Sequence, residues 1–570
     1  MKNTAKQTKI LWKKWLLPAA IAAVCLLGAV LFFLPSFRDA DLNAYYGIAE
    51  GGTFVIENES LLRGADVQKE NDRYYFPLTI VSENWNCRFY EDADTDQVWY
   101  VLPDGIMKLT PDASEYEYQG TKSLDYAPLI RRNGALYLEL DWICRYTRME
   151  YAQFSDPDRL WIWTDYENSV SYAQTEKKTV LRTRASRKGD VIRTLEAKET
   201  VVVISEEKSW DQVLTTDGQV GYVKASALGT LSAVTRSGDW FAEQEYPSMQ
   251  MEDPIVMGWH YVDDLAIGLE SLEKRITECD GLNVISPTWF TVSDEEGGFR
   301  SFADPNYVEK AHAAGMQVWA MVDNINLKTD ELKLLSSSEA REKLERGLVD
   351  AAVEAGIEGL NLDFESLNAE IAPHYLEFER ELSLLCDEAG LYLSADNSVP
   401  RSYRTYYNLE EQSKILDYVV IMGYDGSWEE PGPNASLPFV QEGLESSLEL
   451  IPAEKLIQGI PFYSRMWYWS DEKDDWDRTP FDMRRSAELE ADCKDLAWSE
   501  EDGCYFGTIT VDEIERQVWF EDLDSAKARL DLIGSYHVAG ISAWSLGSED
   551  PEVWSIIRDW SAAQVSGREG

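Results

Sequence analysis

Eight apolar segments of strand length alternate with amphipathic segments between about residue 251 and residue 561. Apolar runs separated by helical patterns indicate βαβ units, whose parallel strands are covered on both faces. Eight such units in this length predict a (β/α)8 TIM barrel over residues 251–561. In that fold, functional side chains lie where the strands end. The candidate strands begin near Ile255, Leu282, Gln317, Gly359, Leu391, Tyr418, Leu456 and Gly540.

The fourth candidate strand, residues 359–365, alternates apolar and polar residues. This period places Asn361, Asp363 and Glu365 on one face of the strand. Two carboxylates and an amide on one face are costly to bury without a role. Like charges two residues apart also raise a pKa, which suits a Glu for general acid chemistry near neutral pH. An edge strand with a solvated acidic face is the alternative, but the order of the residues favours a catalytic centre.

The segment GIEGLNLDFESL, residues 356–367, resembles the Asp-Gly-x-Asp-x-Asp-x-Glu signature of glycoside hydrolase family 18. The resemblance implies that Glu365 is the general acid/base and that Asp363 orients the acetamido group of the substrate. Asn361 stands where most chitinases have a further Asp, and Glu358 where they have the first. An Asp at position 361 could share a proton with Asp363, whereas an amide can only donate or accept a hydrogen bond. Asn361 resembles the branch of spore-cortex N-acetylglucosaminidases and points away from chitin as the substrate.

The sixth strand ends in YVVIMGYDGSW, which resembles the Met-x-Tyr-Asp motif of the same family. Met422, Tyr424 and Asp425 fall on that motif. The resemblance implies that Tyr424 donates a hydrogen bond to the acetamido carbonyl of the sugar. It also implies that Asp425 contacts sugar hydroxyls and that Met422 belongs to the substrate site.

Aromatic residues and one Arg follow other candidate strands. QGIPFYSRMW places Tyr463 and Arg465 at the end of the seventh strand, which resembles the family's substrate site. GISAWSLG places Trp544 at the end of the eighth, where the family has the floor of the reacting-sugar subsite. Trp259 follows the first strand. It either stacks on the substrate or packs in the upper core, and the sequence leaves both roles open. The same two alternatives apply to Trp289 and Trp319.

The family resemblance implies a retaining, substrate-assisted mechanism. The acetamido oxygen of the substrate attacks the anomeric carbon while Glu365 protonates the leaving oxygen. Asp363 and Tyr424 then stabilise an oxazolinium-like species, which water assisted by Glu365 opens with retention. This chemistry requires a sugar with a 2-acetamido group, and it needs no metal and no cofactor.

These residues predict a glycosidase that cleaves β-linked N-acetylglucosamine glycans, with peptidoglycan favoured over chitin. A non-catalytic chitinase-like lectin that binds the same polymers is the alternative. Such lectins usually lose the acid, whereas Glu365, Asp363 and Tyr424 are all present. The connection over residues 466–533 is shorter than the α+β insertion of processive chitinases, which predicts a shallower cleft.

The N-terminus combines a basic tail, residues 1–14, with an apolar run over residues 15–35. About twenty apolar residues suffice to span a bilayer as a helix. Lysines before the run orient the N-terminus inside, so we predict a single-pass transmembrane signal anchor with the catalytic domain extracellular and facing the cell wall. A cleaved signal peptide is the alternative, although no small-residue cleavage site follows the run.

Two further modules precede the barrel. Residues 40–168 contain a repeat whose units begin at Tyr74 and Leu136, and each unit predicts a strand, a short helix and a hairpin. This α+β region resembles the paired-repeat domain named after the copper amine oxidase N-terminus. Residues 176–230, with Trp210 and an Asp-Gly turn, resemble a bacterial SH3-like domain, a small β-barrel. Wall-peptide binding and a spacer role are both open for it.

The formal net charge of -49 and the sequence pI of about 4.4 disfavour nucleic acids and anionic membrane surfaces as partners. The seven Cys show no Cys-x-x-Cys spacing and only four His are present, so no metal site is predicted. Cys493 and Cys504 are near enough in sequence either to form a disulfide in an oxidising compartment or to remain free.

Overall fold

The computed structural model describes residues 18, 22, 34–49, 52–62, 65–325, 329–365, 367–401 and 406–568. The chain forms two compact units. The first contains Met1–Cys87, Pro111–Ser114 and Asp125–Glu243, and the second contains Arg88–Thr110, Glu115–Leu124 and Gln244–Gly570. The second unit therefore includes two segments that fall inside the predicted repeat domain of residues 40–168.

The predicted membrane anchor requires a correction. Within the described ranges, no helix has both the length and the apolar character needed to cross a membrane. The prediction rested on hydropathy alone, whereas a span needs a continuous apolar helix of about 20 residues. The longest described helices, Ser338–Ala355 and Ala372–Ala389, have 18 residues each and carry several charged side chains. The single-pass localisation is therefore not supported, and most of residues 15–35 lies outside the described residues.

The first unit consists of small sheets and short helices, and its sheets are antiparallel except for the parallel pair Phe54–Glu57 with Arg159–Trp163. Each sequence repeat forms a strand followed by a seven-residue helix: Arg73–Pro77 with Leu78–Asn84, and Ala135–Glu139 with Leu140–Tyr146. The two strands pair antiparallel with each other. The remaining elements in the described part of this unit are the helix Leu42–Tyr46, the 3-10 turn Ala225–Ala227 and the strands Phe54–Glu57, Ser60–Leu61, Gln68–Glu70, Leu129–Arg132, Glu150–Phe154, Arg159–Trp163, Ser169–Gln174, Thr179–Arg182, Val191–Leu195, Thr200–Glu206, Trp210–Thr215, Val220–Lys224 and Ser232–Thr235.

The second unit is built on a closed parallel barrel of eight strands. Each strand pairs with the next in sequence, and the eighth closes on the first. This confirms the predicted barrel. The strands are β1 Ile255–His260, β2 Val284–Val292, β3 Gln317–Asp323, β4 Gly359–Asp363, β5 Tyr392–Ser398, β6 Tyr418–Met422, β7 Leu456–Pro461 and β8 Gly540–Trp544.

Side chains of several barrel strands meet in one core cluster that includes Met257, Trp319 and Val420. β4 begins with Gly359, where there is no room for a side chain. An added Cβ would lie 2.9 Å from the Trp319 ring. Most of the surrounding helices have an Asp, Ser or Asn at the N-cap position. The side chain of this residue accepts hydrogen bonds from backbone amides of the first turn. Beyond the two 18-residue helices, the helices of this unit are Leu265–Glu278, Pro305–Ala313, Glu331–Ser336, Leu409–Ile415, Leu437–Leu448, Ser486–Ala491, Leu523–Gly534 and Val553–Arg568, with short 3-10 turns Ala453–Lys455 and Met483–Arg485.

The connection after β7 folds as a five-stranded antiparallel sheet. Its strands are Tyr463–Ser470, Asp475–Asp482, Lys494–Ser499, Cys504–Val511 and Ile514–Phe520. A core of its own, including Met466, Phe481 and Val518, holds it together. Cys493 and Cys504 are both free thiols in this segment. A further short strand, Phe299–Ser301, pairs antiparallel with β2.

A second antiparallel sheet belongs to this unit although it lies far upstream in sequence. Its strands are Tyr90–Asp92, Gln97–Leu102, Gly105–Leu109, Glu115–Glu117 and Thr121–Ser123. Six buried charged side chains connect its leading end to helices of the barrel. We call these side chains the buried ion-pair network: Arg88, Arg341, Arg380, Glu377, Glu381 and Glu411.

Candidate active site

Three acids stand side by side at the carboxyl ends of β3, β4 and β5. Asp323 pairs in register with Asp363. Leu362 pairs with Ala395, so the next position on each strand brings Asp396 beside Asp363. We call Asp323, Asp363 and Asp396 the carboxylate row, and all three are buried. Sequence analysis found Asp363 but not the other two.

Asn361 is fully buried below Asp363, and four neighbours occupy its amide. Its Oδ1 accepts from Trp259 Nε1 at 2.9 Å and from Ser286 Oγ at 3.3 Å. Its Nδ2 donates to Ser394 Oγ at 3.1 Å and to Asp396 Oδ1 at 2.8 Å. None of these hydrogen bonds goes to Asp363. Asn361 instead connects β4 to side chains of β1, β2 and β5.

Trp259, Trp289 and Trp319 lie within β1, β2 and β3, not after them, and they pack in the core. Trp259 is 1% exposed, and Trp289 and Trp319 are 0% exposed. Of the two alternatives open from sequence, the structure gives core packing for all three. Trp259 nevertheless contacts the site, because its ring nitrogen holds Asn361.

The carboxylate row contains acids without counter-charges. Asp363 Oδ1 and Asp396 Oδ2 are buried and have no hydrogen-bond partner within the part of the chain that the structure describes. Burial, then the charges of Asp396, Glu365 and Asp323, raises the pKa of Asp363 well above its ordinary value. Burial raises the pKa of Asp396 to about 8, against hydrogen bonds from Asn361 and Trp259 that lower it. Asp323 differs because it accepts from the Thr291 hydroxyl at 3.1 Å.

Glu365 follows the end of β4 and is held through its backbone. Its N–H donates to Asn324 Oδ1 at 3.0 Å, and Asn324 Nδ2 donates to its carbonyl at 3.0 Å. The carboxyl group makes no hydrogen bond or ion pair to the residues that the structure describes. Partial burial, then the charge of Asp425, raises the pKa of Glu365. Asn324 was missed from sequence, although its place directly after β3 could have marked it.

Tyr424 lies after β6, half-buried beside the barrel core. Burial raises the pKa of its hydroxyl well above the ordinary value, so the hydroxyl stays protonated at neutral pH. That hydroxyl has no hydrogen-bond partner among the described residues and can donate to a ligand. Met422 is half-buried at the end of β6, and Trp544 ends β8 with its ring centroid 6.0 Å from that of Trp259.

Asp425 is held by polar side chains from the end of β7. Its Oδ1 accepts from Arg465 Nη2 at 2.5 Å and from the Tyr463 hydroxyl. Asn434 supports the same group, since its Oδ1 accepts from Arg465 Nη1 at 3.0 Å and from the Asp425 amide at 3.2 Å. The structure thus brings Asp425, Tyr463 and Arg465 together. Asn434 was not predicted, because nothing in its loop resembles a motif.

A cavity of about 650 Å³ adjoins these residues. It is lined by Tyr463, Arg465 and Trp544, together with Trp428 from the segment after β6 and with Arg478 and other residues of the sheet after β7. The described residues contain no group of three or more His, Cys, Asp or Glu side chains that could hold a metal ion. The site therefore offers unpaired acids, a tyrosine hydroxyl and an aromatic-lined cavity.

Carboxyl groups at the carboxyl ends of barrel strands are compatible with glycoside hydrolysis, which uses a pair of acids. Residues 282–550 match the model of Glycosyl hydrolases family 18, and residues 178–229 match that of the Bacterial SH3 domain. The chain therefore contains a family 18 glycosyl hydrolase domain and a bacterial SH3 domain, and it is a glycosidase. These matches confirm the predicted family and the predicted SH3-like domain, whereas the copper-amine-oxidase-like repeat is not shown.

Curated relatives include an uncharacterized glycosylase, YvbX, of Bacillus subtilis (strain 168). It is 26% identical over 298 residues, covering 49% of this chain and 84% of the relative. The Cortical fragment-lytic enzyme of the same organism is 27% identical over 244 residues, covering 40% of this chain and 56% of the relative. The solved Bacillus megaterium QM B1551 spore cortex-lytic enzyme SleL matches with a TM-score of 0.48 at 21% identity, over 56% of this chain and 76% of that one.

Proposed function

We propose that this chain hydrolyses β-linked glycans of 2-acetamido sugars, with peptidoglycan as the substrate, by a retaining, substrate-assisted mechanism. The observation that carries the proposal is the arrangement at the end of β4. Glu365 is an exposed acid with a raised pKa and no partner among the residues that the structure describes, and Asp363 is a buried acid two residues before it. The similarity to the Cortical fragment-lytic enzyme of Bacillus subtilis supports a wall glycan over chitin.

Glu365 supplies the proton in the first step. Its raised pKa keeps more of the acid form at neutral pH, and this form protonates the leaving oxygen while the substrate's acetamido oxygen attacks the anomeric carbon. The carboxylate that remains then takes a proton from the water that opens the cyclised intermediate. The proton balance of Glu365 therefore closes over one turnover.

Asp363 and Tyr424 act on the acetamido group. The positive charge that develops there lies against Asp363, whose burial without a counter-charge strengthens the attraction. The protonated Tyr424 hydroxyl donates a hydrogen bond to the acetamido oxygen and fixes its direction of attack. Asp425, Tyr463, Arg465 and Trp544 line the space for the sugar, with Met422 at the end of β6.

The test compares the full chain with its Glu365→Gln variant on purified peptidoglycan and on chitin oligosaccharides, with products identified by mass spectrometry. We expect wall fragments with a reducing N-acetylglucosamine end from the wild type. The variant should lose on the order of 10²- to 10⁴-fold in turnover, as for removal of a general acid. Glu370→Gln, an exposed acid in the same loop, is the matched control and should leave turnover unchanged. Binding without product from either substrate would instead support the lectin alternative.

A further inference from the structure

A cation with no hydrogen-bond or ion-pair partner among the described residues lines the cavity beside the proposed active site. The hairpin of Tyr463–Ser470 and Asp475–Asp482 forms one wall of the 650 Å³ cavity, and Trp544 with nearby residues forms another. Within this lining we call six residues the Arg478 pocket: Trp428, Arg465, Lys473, Arg478, Asp482 and Trp544. Neither sequence motifs nor relatives assign a role to Arg478 or Trp428.

Arg478 differs from the other two cations of the pocket. Arg465 is paired with Asp425 at 2.5 Å, and Lys473 is paired with Asp477 at 2.7 Å. The Arg478 guanidinium forms no ion pair or hydrogen bond with any residue that the structure describes, Asp482 included. It lies instead against aromatic rings, with Cζ 3.8 Å from the centroid of Trp428 and 5.4 Å from that of Trp467.

Stacking leaves the edge of the guanidinium available. A guanidinium that lies flat on an aromatic ring keeps its in-plane N–H groups free, and their spacing matches the two oxygens of a carboxylate. The chain carries 102 acidic and 53 basic residues, so an unpaired cation in its cleft runs against the general charge. A neutral sugar polymer has no group that would need it.

We propose that the Arg478 pocket binds a carboxylate substituent of the glycan, which makes acidic glycans of 2-acetamido sugars the substrate class. This inference rests on the proposed function, since the pocket adjoins the same cleft. The carboxylate lies in the plane of the Arg478 guanidinium, while Trp428 supports the guanidinium from its face. Binding of the acid then fixes the register of the glycan over Glu365.

The test measures kcat/KM of the full chain and of Arg478→Gln on three substrates. These are peptidoglycan glycan strands with free muramic carboxylates, the same strands with those carboxylates converted to amides, and N-acetylglucosamine tetramer. The wild type should prefer the acidic strands to the amidated strands by about tenfold or more, as for a charge-assisted hydrogen bond. Arg478→Gln should remove that preference and leave the two neutral substrates unchanged.

Arg516→Gln is the matched control, because Arg516 stacks on Tyr468 in the same sheet but does not line the cavity. An equal loss on all three substrates with Arg478→Gln, or no preference in the wild type, would overturn the carboxylate site while the glycosidase function stands. No turnover of any substrate by the wild type would contradict the proposed function itself.

A second inference concerns the carboxylate row and rests on different observations. Asp363 and Asp396 are neighbours on adjacent strands, and each has a buried oxygen without a partner. Asn361, two residues before Asp363, is a neutral amide committed to Trp259, Ser286, Ser394 and Asp396. An acid at position 361 could share a proton with Asp363, and the amide cannot.

We infer that Asp396 is the proton-sharing partner of Asp363 and acts as a positioning residue for it. The pair of carboxylates holds one proton before the reaction. As the positive charge develops on the substrate, this proton moves onto Asp396 and leaves Asp363 ionised. The proton stays within the pair, so the step needs no further reactant. The other titratable groups around this pair are Asp323 on β3, Glu365 after β4 and Tyr424 after β6.

An exchange of acid and amide tests this inference. Asp396→Asn keeps the hydrogen bond to Asn361 but removes the proton site, and it should lower kcat by on the order of a hundredfold with little change in KM. Adding Asn361→Asp to that variant moves the acid to the neighbouring strand and should recover kcat to within about tenfold of the wild type. Glu379→Gln, a buried acid that bonds Gln412 outside the row, is the control.

A merely structural role for Asp396 would give a different pattern. The Asp396→Asn variant would then lose melting temperature, and Asn361→Asp would not restore turnover. An unchanged kcat in Asp396→Asn would overturn the inference, as would a folded double variant no faster than the single one. Turnover by the wild type in the same assay separates these results from a failure of the proposed function.

Discussion

Two regions of the second unit that bury acidic side chains differ in their cations: the buried ion-pair network contains three Arg, whereas the carboxylate row contains none. In the buried ion-pair network, Arg341 donates to both oxygens of Glu381, at 3.1 and 2.9 Å. Arg380 and Arg88 both donate to Glu411, at 3.2 and 2.5 Å. In the carboxylate row at the barrel mouth, no basic side chain among the described residues pairs with any of the three acids. Acidic residues are therefore buried with a paired Arg in the first region and without one in the second.

The pKa values show the difference. Burial alone would raise the pKa of Glu411, but Arg380 and Arg88 hold it below its ordinary value. Burial raises the pKa of Asp396 to about 8, where no cation opposes it. The paired acid is fixed as a charge and stabilises packing, whereas the unpaired acids can hold or release a proton.

A raised pKa does not by itself mark a functional site. Burial raises the pKa of Glu379 to about 8, yet this residue lies on the helix Ala372–Ala389 and accepts a hydrogen bond from Gln412 at 2.8 Å. What distinguishes the carboxylate row is its place at the ends of three adjacent strands, close to the charge of Glu365. Location and missing partners together carry the functional inference.

The largest effect is expected from breaking the paired region. Arg341→Met should leave Glu381 buried without a counter-charge and lower the free energy of unfolding by about 3–5 kcal/mol. Urea unfolding of the full chain measures the loss, and kcat per folded molecule should not change. Arg341→Met with Glu381→Gln removes both charges and should recover part of the stability. A loss below about 1 kcal/mol would show that the pair does not stabilise the fold.

The converse change in the unpaired region should affect turnover instead. Asp363→Asn should lower kcat by about 10²- to 10³-fold, because the amide cannot offset the positive charge of the intermediate. Steady-state kinetics on peptidoglycan measures this loss. The free energy of unfolding at neutral pH should stay the same or rise, since an unpaired buried carboxyl is removed. A large loss of stability with normal turnover would reverse the comparison between the two regions.

The pH dependence of stability should also report the unpaired acids. Because the pKa of Asp396 rises from 3.8 to about 8 on folding, the folded state holds a proton that the unfolded state has lost between these values. Its stabilising contribution is complete below pH 3.8 and is lost as the pH rises through about 8. The stability of the wild type relative to Asp396→Asn should therefore fall over this window, by at most about 1.4 kcal/mol per pH unit. Urea unfolding at a series of pH values measures the difference, and a constant difference would contradict the raised pKa.

The smallest effect is expected where an ion pair is exposed. Arg346 and Glu342 lie 2.9 Å apart, but their side chains are 61% and 63% exposed. Glu342→Gln should change the free energy of unfolding by about 0.5 kcal/mol or less, because water screens the pair. Thermal unfolding of the Glu342→Gln and Arg341→Met variants, measured together, would separate the contribution of burial from that of pairing. A loss comparable to that of Arg341→Met would show that burial is not what makes the network matter.

The parts of the structure that sequence predicted depend on local patterns. The period of two at residues 359–365 placed Glu365 at the end of β4, and the apolar runs located all eight barrel strands. Asp396 could not be found in this way, because a single acid between Ala395 and Asn397 belongs to no motif. Its meaning comes from the neighbouring strand, which sequence order does not show.

Long-range pairing also hid the second sheet of the barrel unit. Residues 90–123 continue a sequence repeat, and the repeat predicted that they stay with residues 40–168. Arg88 and Tyr90 instead contact Glu411 and His374, which follow by 323 and 284 residues. Contacts at such separations leave no periodic signal in the chain.

That separation has a consequence for how the molecule is made. Arg88 leaves the ribosome 323 residues before Glu411, its bidentate partner. At roughly 5–20 residues per second, the upstream sheet waits tens of seconds for the helices that complete it. During that time, its guanidinium and strand edges are without their final partners, and premature release of the chain would leave them so. Synthesis of the helix Leu409–Ile415, which carries Glu411, therefore decides when the sheet of residues 90–123 has all its partners.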